Sequence, residues 1–174
     1  MTAETFSSAP KEGAAPLYFP VSRRKLIVLC IFSVGIYEIY WFYKNWVLIK
    51  ERTRKDINPI GRALLPFFYL DALFEDVAHS ARTRMMPVTI RPGLLWLAYV
   101  ALLLAGNLPN PFWLIATLSV LPLLPAHRLM REINLRVAPH AEPNDRFSGE
   151  NIAVIILGGL VLIWLVVAPF VLQQ

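Results

Sequence analysis

The fold of this protein is decided by its C-terminal stretch IAVIILGGLVLIWLVVAPFVL, residues 152–172. These 21 residues include no Asp, Glu, Lys or Arg. An α-helix of that length rises about 30 Å, which matches the hydrocarbon thickness of a bilayer. The stretch therefore predicts a transmembrane helix over about residues 150–172.

The composition of the whole chain agrees with a membrane protein. Charged residues make up 17% of its 174 residues, against about 25% in a typical soluble domain, and hydrophobic residues make up 56%. These values exclude a disordered chain, a collagen-like fibre and a disulfide-stapled secreted domain, and they argue against an ordinary water-soluble enzyme. The single Cys30 cannot form an internal disulfide.

Three further apolar runs predict membrane helices, over about residues 26–46, 88–106 and 112–130. The last two flank the turn sequence NLPNP, so they predict a helical hairpin. Two alternatives stay open: the hairpin lies buried without crossing, or the first run bends back at Gly35 as a re-entrant element. Aromatic rings that suit the headgroup boundary crowd the end of the first run. We assign this anchoring role to Tyr37, Tyr40, Trp41, Tyr43 and Trp46.

Two amphipathic segments lie between the apolar runs, over about residues 59–84 and 127–137. Each has apolar residues on one helical face and charged residues on another, which is typical of helices in the membrane interface. Asn58-Pro59 is a favourable helix start, and Pro66 predicts a kink in the first segment. We therefore expect an all-α polytopic membrane protein, with a flexible polar tail at residues 1–20 and one membrane domain at 21–174. This domain would hold about four transmembrane and two interfacial helices.

The basic residues predict both orientation and lipid contact. The chain has a net charge of +5, and four crossings would place most of its Lys and Arg residues on one side, within 44–91 and 127–151. The positive-inside rule assigns that side to the cytoplasm and both termini to the outside, although the basic residues just before Leu26 argue the other way. Anionic lipid attracts such residues, so no nucleic acid is needed to explain the charge. The predicted lipid contacts are Lys50, Arg52, Arg54, Lys55, Arg128, Arg131 and Arg136.

The sequence offers little chemistry. Asp71, Glu75 and His79 share one stripe of a predicted helix and are a weak candidate metal site, with the wet face of an interfacial helix as the alternative. No phosphate-binding loop, zinc-protease motif or nucleophile elbow is present. We expect no enzyme activity, no metal and no cofactor.

Glu38 is the one acidic residue within the first apolar run. A carboxylate inside a membrane is costly, so it faces a partner or water. One interpretation is that Glu38 reaches the headgroups, because it lies one turn from Trp41. The other is that it faces the helix bundle, with Tyr37 or Tyr40 as a hydrogen-bonding neighbour.

The first apolar run closes with the stretch GIYEIYWFYK, residues 35–44. Together with NDRFSGEN at residues 144–151 and the Gly158-Gly159 pair, it resembles a group of uncharacterised small bacterial membrane proteins. These are marked by a Gly-Ile-Tyr-x-x-Tyr-Trp-x-Tyr-Lys motif at the end of the first helix. The resemblance runs from about Pro20 to the last helix, and it implies a bacterial inner-membrane location and no established activity. Glu38 departs from the small residue common at its position in that group.

Three functions stay open. The first is a non-catalytic scaffold that binds a membrane-protein partner or a second copy of itself, above a bilayer with anionic lipids. The second is an oligomeric ion or solute conduit that uses Glu38, although few polar residues lie in the spans. The third is an enzyme that acts on lipid headgroups through Asp71, Glu75 and His79.

Overall fold

The computed structural model describes residues 15–109 and 112–171, and this part of the chain is helical. Seven α-helices follow in order: α1 (Arg23–Phe32), α2 (Ile36–Thr53), α3 (Pro59–Leu64), α4 (Pro66–Arg82), α5 (Pro92–Leu104), α6 (Leu123–Val137) and α7 (Gly149–Val171). Two 3-10 helices, Ala105–Asn107 and Phe112–Val120, separate α5 from α6. Within the described ranges, the extended pairing is a single bridge between Val21 and Asn144. The all-α prediction is confirmed for these residues. Most of the predicted tail, two residues of the NLPNP turn and Leu172 lie outside them.

Local sequence signals account for most helix boundaries. Ser22 caps α1 by accepting a hydrogen bond from the Lys25 backbone N–H (3.3 Å). The Asn58 side chain caps α3, whose first residue is Pro59. The predicted segment 59–84 is two helices, because Pro66 begins α4 and removes a backbone donor where a continuous helix would need one.

The first apolar run is not one straight membrane helix, which corrects the predicted span 26–46. Helix α1 ends at Phe32, and Val34 and Gly35 both have positive φ, +51° and +86°. Helix α2 then starts from Gly35 in a new direction. The φ of +86° costs Gly35 little, because glycine has no Cβ. The break is where the re-entrant alternative expected it.

Hydrogen bonds show that α2 folds back along the path of α1. The Phe19 N–H donates to Asn45 Oδ1 (3.0 Å), and the Arg52 guanidinium donates to the Leu17 carbonyl (2.6 Å). A straight helix would place Arg23 and Asn45 about 33 Å apart. The chain from Phe19 to Arg23 reaches at most about 14 Å, so Phe19 could not then contact Asn45. The start of α1 and the end of α2 therefore lie at the same end of the molecule, and we call this pair the first hairpin.

Helix α7 runs parallel to α1 and continues past its tip. At its base, the Lys25 ammonium donates to Asn144 Oδ1 (2.7 Å) and to the Arg146 carbonyl (2.8 Å), just before α7 begins. Further along, a Cβ added to Gly158 would lie 1.5 Å from the Phe32 carbonyl oxygen, so the two backbones are in direct contact. Gly158 comes about 14 Å into a helix about 35 Å long. The tip of the first hairpin thus reaches about the middle of α7.

The second apolar hairpin differs from the predicted helices 88–106 and 112–130. Helix α5 begins only at Pro92, and the returning arm starts as the 3-10 helix Phe112–Val120 before α6 begins at Leu123. Helix α6 also takes in the predicted interfacial helix 127–137. Its apolar face is core: Ala126, Leu129 and Ile133 are fully buried. The sequence pattern assigned this apolar face to the membrane surface. In the fold the face packs in the core instead, so the predicted interfacial helix is part of α6.

The end of the predicted flexible tail is also part of the core. Tyr18 is fully buried, and Phe19 is 8% exposed. The Asn134 side chain accepts from the backbone N–H groups of Leu17 and Tyr18 and donates to the Tyr18 carbonyl. For the described part of residues 1–20, the prediction of a free tail is therefore wrong, because its backbone groups find partners on α2 and α6.

Two helical stretches in the described residues are long and apolar enough to cross a membrane, Phe112–Val137 and Gly149–Ala168. The sequence predicted about four. The apolar stretch Pro92–Asn107 is shorter. No residue of Gly149–Ala168 is buried, whereas part of Phe112–Val137 packs in the core.

Candidate functional site

Glu38 lies in the first turn of α2, next to the tip of the first hairpin, and only 2% of it is exposed. Its two carboxyl oxygens accept hydrogen bonds from two hydroxyl groups. Oε2 accepts from the Tyr99 hydroxyl (3.0 Å), and Oε1 accepts from Ser119 Oγ (2.7 Å). Glu38 thus faces the bundle instead of reaching towards the headgroups, but with Tyr99 and Ser119 as partners instead of Tyr37 or Tyr40.

Three separate elements build this site. Gly35 turns the chain so that Glu38, in the first turn of α2, points inwards, α5 supplies Tyr99, and the 3-10 helix before α6 supplies Ser119. The N–H groups at the start of α2 carry partial positive charge, which favours an acidic side chain in that turn. Trp41 and Phe42 form the neighbouring core, with Phe42 edge-on to the Tyr99 ring.

A cavity of about 320 Å³ opens beside the Glu38 carboxyl group, and we call it the Glu38 cavity. Its polar lining is small, and none of the described residues that line it is a Lys or Arg. Its lining includes Ile36, Ile39, Leu64, Leu103, Trp113 and Thr117. A carboxylate can accept about four hydrogen bonds, so the two hydroxyl groups leave acceptor capacity unused. The arrangement can therefore hold a proton or a cationic group.

The weak metal candidates do not form such a site. Asp71, Glu75 and His79 lie on α4, where Glu75 and His79 are exposed and Glu75 is 3.8 Å from Arg82. Within the described ranges, no group of three or more His, Cys, Asp or Glu side chains is arranged to hold a metal ion. The three residues share a helix stripe, but no other element brings a ligand to it.

The predicted aromatic anchors divide into two groups. Tyr40 and Tyr43 are exposed and Tyr37 is half-buried, as an interfacial role requires. Trp41 and Trp46 are buried in the core, at 0% and 3% exposure, so their assignment as anchors is wrong. A helix with rings on all sides buries those that face its neighbours.

The predicted lipid-contact residues also divide. Lys50, Arg54 and Lys55 are exposed at the end of α2. Arg52 instead lies inside a cluster with Asp76 and Tyr18, with its guanidinium 4.7 Å from the Tyr18 ring centre. The positive charge of Arg52, which the prediction assigned to lipid, is therefore paired with Asp76.

On α6, Arg128 pairs with Glu132 (2.9 Å) and Arg131 with Asp145 (3.5 Å). Arg136 donates to the Arg84 carbonyl (2.9 Å). Arg128 and Arg131 also line a cavity of about 620 Å³ together with Arg23. Leu121, Leu124, Leu135 and the acidic Glu132 line the same cavity.

The sequence pattern did not identify Tyr99 or Ser119 as partners of Glu38. They lie 61 and 81 residues away along the chain. Their only signal is that each is a polar residue inside an apolar run. Comparison with protein-family models, curated proteins and solved structures finds no match for this chain.

Proposed function

We propose that this protein is a non-catalytic integral membrane protein that acts as a scaffold or partner-binding protein. The observation that carries this proposal is the surface of α7, which is apolar on all sides from Ile152 onwards and has no buried residue between Gly149 and Ala168. Large side chains such as Leu157 (64% exposed) and Trp164 (65%) would be unfavourable in water. Lipid on this surface, and a partner helix or second copy over part of it, would remove that cost.

The fold supports a topology different from four crossings. In this proposal α7 crosses the bilayer, while the first hairpin enters from one side, turns at about mid-membrane and returns. A hairpin keeps the basic residues before α1 and those at the end of α2 on the same side. The positive-inside rule then assigns both groups to the cytoplasm. The proposed location is the cytoplasmic face of a bacterial inner membrane, with anionic lipids against Lys50, Arg54 and Lys55. Membership of the group with the Gly-Ile-Tyr-x-x-Tyr-Trp-x-Tyr-Lys motif is part of this proposal.

Photo-crosslinking in intact membranes tests the scaffold role. A photoreactive amino acid replaces Leu157 or Trp164 on the open face of α7, and Phe68 of α4, which is similarly exposed (69%), is the matched control. We expect a defined protein adduct from at least one α7 position, none from Phe68, and retention of the protein in membranes washed with alkaline carbonate. Lipid adducts alone from α7 would overturn the partner-binding role. Release by carbonate would overturn membrane integration.

The second candidate function is a conduit, which the Glu38 cavity favours. Carboxyl groups buried in membranes commonly mark proton or ion paths. If Glu38 serves such a path, liposomes that contain the protein will show proton or cation flux that disappears in Glu38→Gln. Equal flux in both forms would exclude this role for Glu38. The headgroup enzyme is not proposed, because the described structure adds no further ligand to Asp71, Glu75 and His79.

A further inference from the structure

The Glu38 cavity adjoins a second, wholly apolar groove. The groove has a volume of about 490 Å³ and lies between α2 and α3, where Tyr40, Tyr43, Ile60 and Ala63 contribute to its lining. It shares three wall residues with the Glu38 cavity: Ile36, Ile39 and Leu64. One acidic group therefore lies beside an extended apolar surface.

The Glu38 end of this surface is complementary to a cation. Glu38 is only 2% exposed, and in the described part of the chain the groups that hydrogen-bond its carboxyl oxygens are hydroxyls instead of basic side chains. An ionised carboxylate in apolar surroundings is costly unless it takes up a proton or a cation lies next to it, and none of the described lining residues of the cavity is a Lys or Arg. The rings of Tyr99 and Trp113 line the same cavity, and aromatic faces attract ammonium groups.

The groove end is complementary to a hydrocarbon chain. Its lining exposes no polar surface, and its rim residues Ile36 (70% exposed) and Leu64 (59%) stand open at the molecular surface. In the proposed orientation this rim faces lipid, so a ligand can enter sideways with its chain along the groove. A free metal cation or a sugar would gain nothing from these walls.

We propose that the Glu38 cavity and the adjoining groove form a binding site for a long-chain alkylamine, with its ammonium group on Glu38 and its chain in the groove. This site deepens the second candidate function by naming a ligand class. It rests on the Glu38 cavity and not on transport. Binding in detergent solution therefore tests it separately from membrane flux and from the scaffold role.

The test measures binding of decylamine to the full chain purified in a non-ionic detergent. Glu38→Gln is the informative variant, because an amide keeps the size and an acceptor oxygen for the hydroxyl groups but removes the charge. Glu150→Gln, an exposed acid in the first turn of α7, is the matched control. We expect Glu38→Gln to weaken decylamine binding by about 30-fold or more, as for loss of one partner from a buried charge pair. Glu150→Gln should bind as the unmodified protein does.

Ligand variation keeps the test decisive if Glu38→Gln does not fold. On the unmodified protein, decylamine should bind at least about tenfold more tightly than decanol, which has the same chain and no charge. Hexylamine should bind more weakly than decylamine, because each buried methylene contributes to affinity. Equal binding of decylamine and decanol, or equal binding by Glu38→Gln and the unmodified protein, would overturn the proposal.

Discussion

Gly158 and Gly159 are neighbours in sequence, but a Cβ atom at each position would have different contacts. A Cβ on Gly158 would meet the Phe32 carbonyl oxygen at 1.5 Å, a backbone atom that cannot move alone. A Cβ on Gly159 would lie 3.5 Å from the Phe32 ring, which is ordinary contact. The residue that lets α7 touch α1 is therefore Gly158.

We predict opposite effects of alanine at these two positions. Gly158→Ala should destabilise the protein by about 1–3 kcal/mol, the usual cost of overpacking. Gly159→Ala should leave stability unchanged or raise it by up to about 1 kcal/mol, because alanine is the better helix former. Thermal unfolding of both variants in detergent checks this. Equal effects would mean that the close contact between α1 and α7 is not formed.

Tyr18 joins the N-terminal segment to α4 through its hydroxyl group. The oxygen lies 2.8 Å from Asp76 Oδ2 and 2.9 Å from Ser80 Oγ, and it accepts a hydrogen bond from Arg52 (3.2 Å). Burial, and then the Asp76 charge, raises the pKa of the Tyr18 phenol, so it stays protonated and can donate. The hydroxyl is thus the point where three elements are connected.

Removal of this hydroxyl should be costly. Tyr18→Phe leaves buried polar partners unsatisfied, and we expect a loss of about 1–3 kcal/mol in the free energy of unfolding. Tyr43→Phe, at an exposed tyrosine on α2, is the control and should change stability by less than about 0.5 kcal/mol. Limited proteolysis should also cut near Leu17 faster in Tyr18→Phe. Indistinguishable variants would show that the segment is held by its backbone contacts alone.

At the scale of elements, the bend between α1 and α2 decides how the first apolar run is used. Gly35 has φ of +86° and open space around its missing Cβ, so conformation and not crowding requires glycine there. Without this bend, Glu38 would not meet Tyr99 and Ser119. The candidate site is a consequence of one helix break.

Gly35→Ala should cost about 1–2 kcal/mol, the penalty of a left-handed conformation for a residue with a Cβ. Gly93→Ala in the first turn of α5 is the matched control. It also has open space but lacks the positive φ, so it should be neutral or stabilising. Chemical unfolding in mixed micelles measures both. A neutral Gly35→Ala would show that the chain relaxes into a straighter helix at no cost.

At the scale of the whole molecule, the N-terminal segment joins three helices at one end. The segment before α1 contacts Asn45 and Arg52 of α2, Asp76 of α4 and Asn134 of α6. In the proposed topology this end is the wet face, and the tip of the first hairpin lies deep in the bilayer. A four-crossing arrangement would instead separate the N-terminal segment from the end of α2 by the thickness of the membrane.

Cysteine labelling distinguishes these topologies. In a Cys30→Ala background, Ala15→Cys and Asp56→Cys place single thiols at exposed positions before α1 and after α2. We expect a membrane-impermeant maleimide to label both from the same side of sealed vesicles. His140→Cys after α6 should label from that side too. Labelling of Ala15→Cys and Asp56→Cys from opposite sides would restore a full crossing by the first run.

The sequence by itself determined that the fold is helical and rich in apolar segments. Apolar runs without charge, helix-starting Asn58-Pro59 and the break at Pro66 are local signals, and each one is seen in the described structure. Glu38 could also be identified from the sequence as a candidate functional residue. An acidic residue within an apolar run is unusual whatever residues surround it in the fold.

Tertiary structure alone decided which residues work together. Whether Trp41 and Trp46 anchor in lipid or pack in a core, and whether Arg52 contacts lipid or Asp76, depends on helices brought together from distant parts of the chain. The partners of Glu38 come from α5 and from the arm before α6, and no periodicity along α2 encodes them. Hydropathy records how apolar a segment is, but a bend at a single glycine changes its direction, and direction determines every long-range contact that follows.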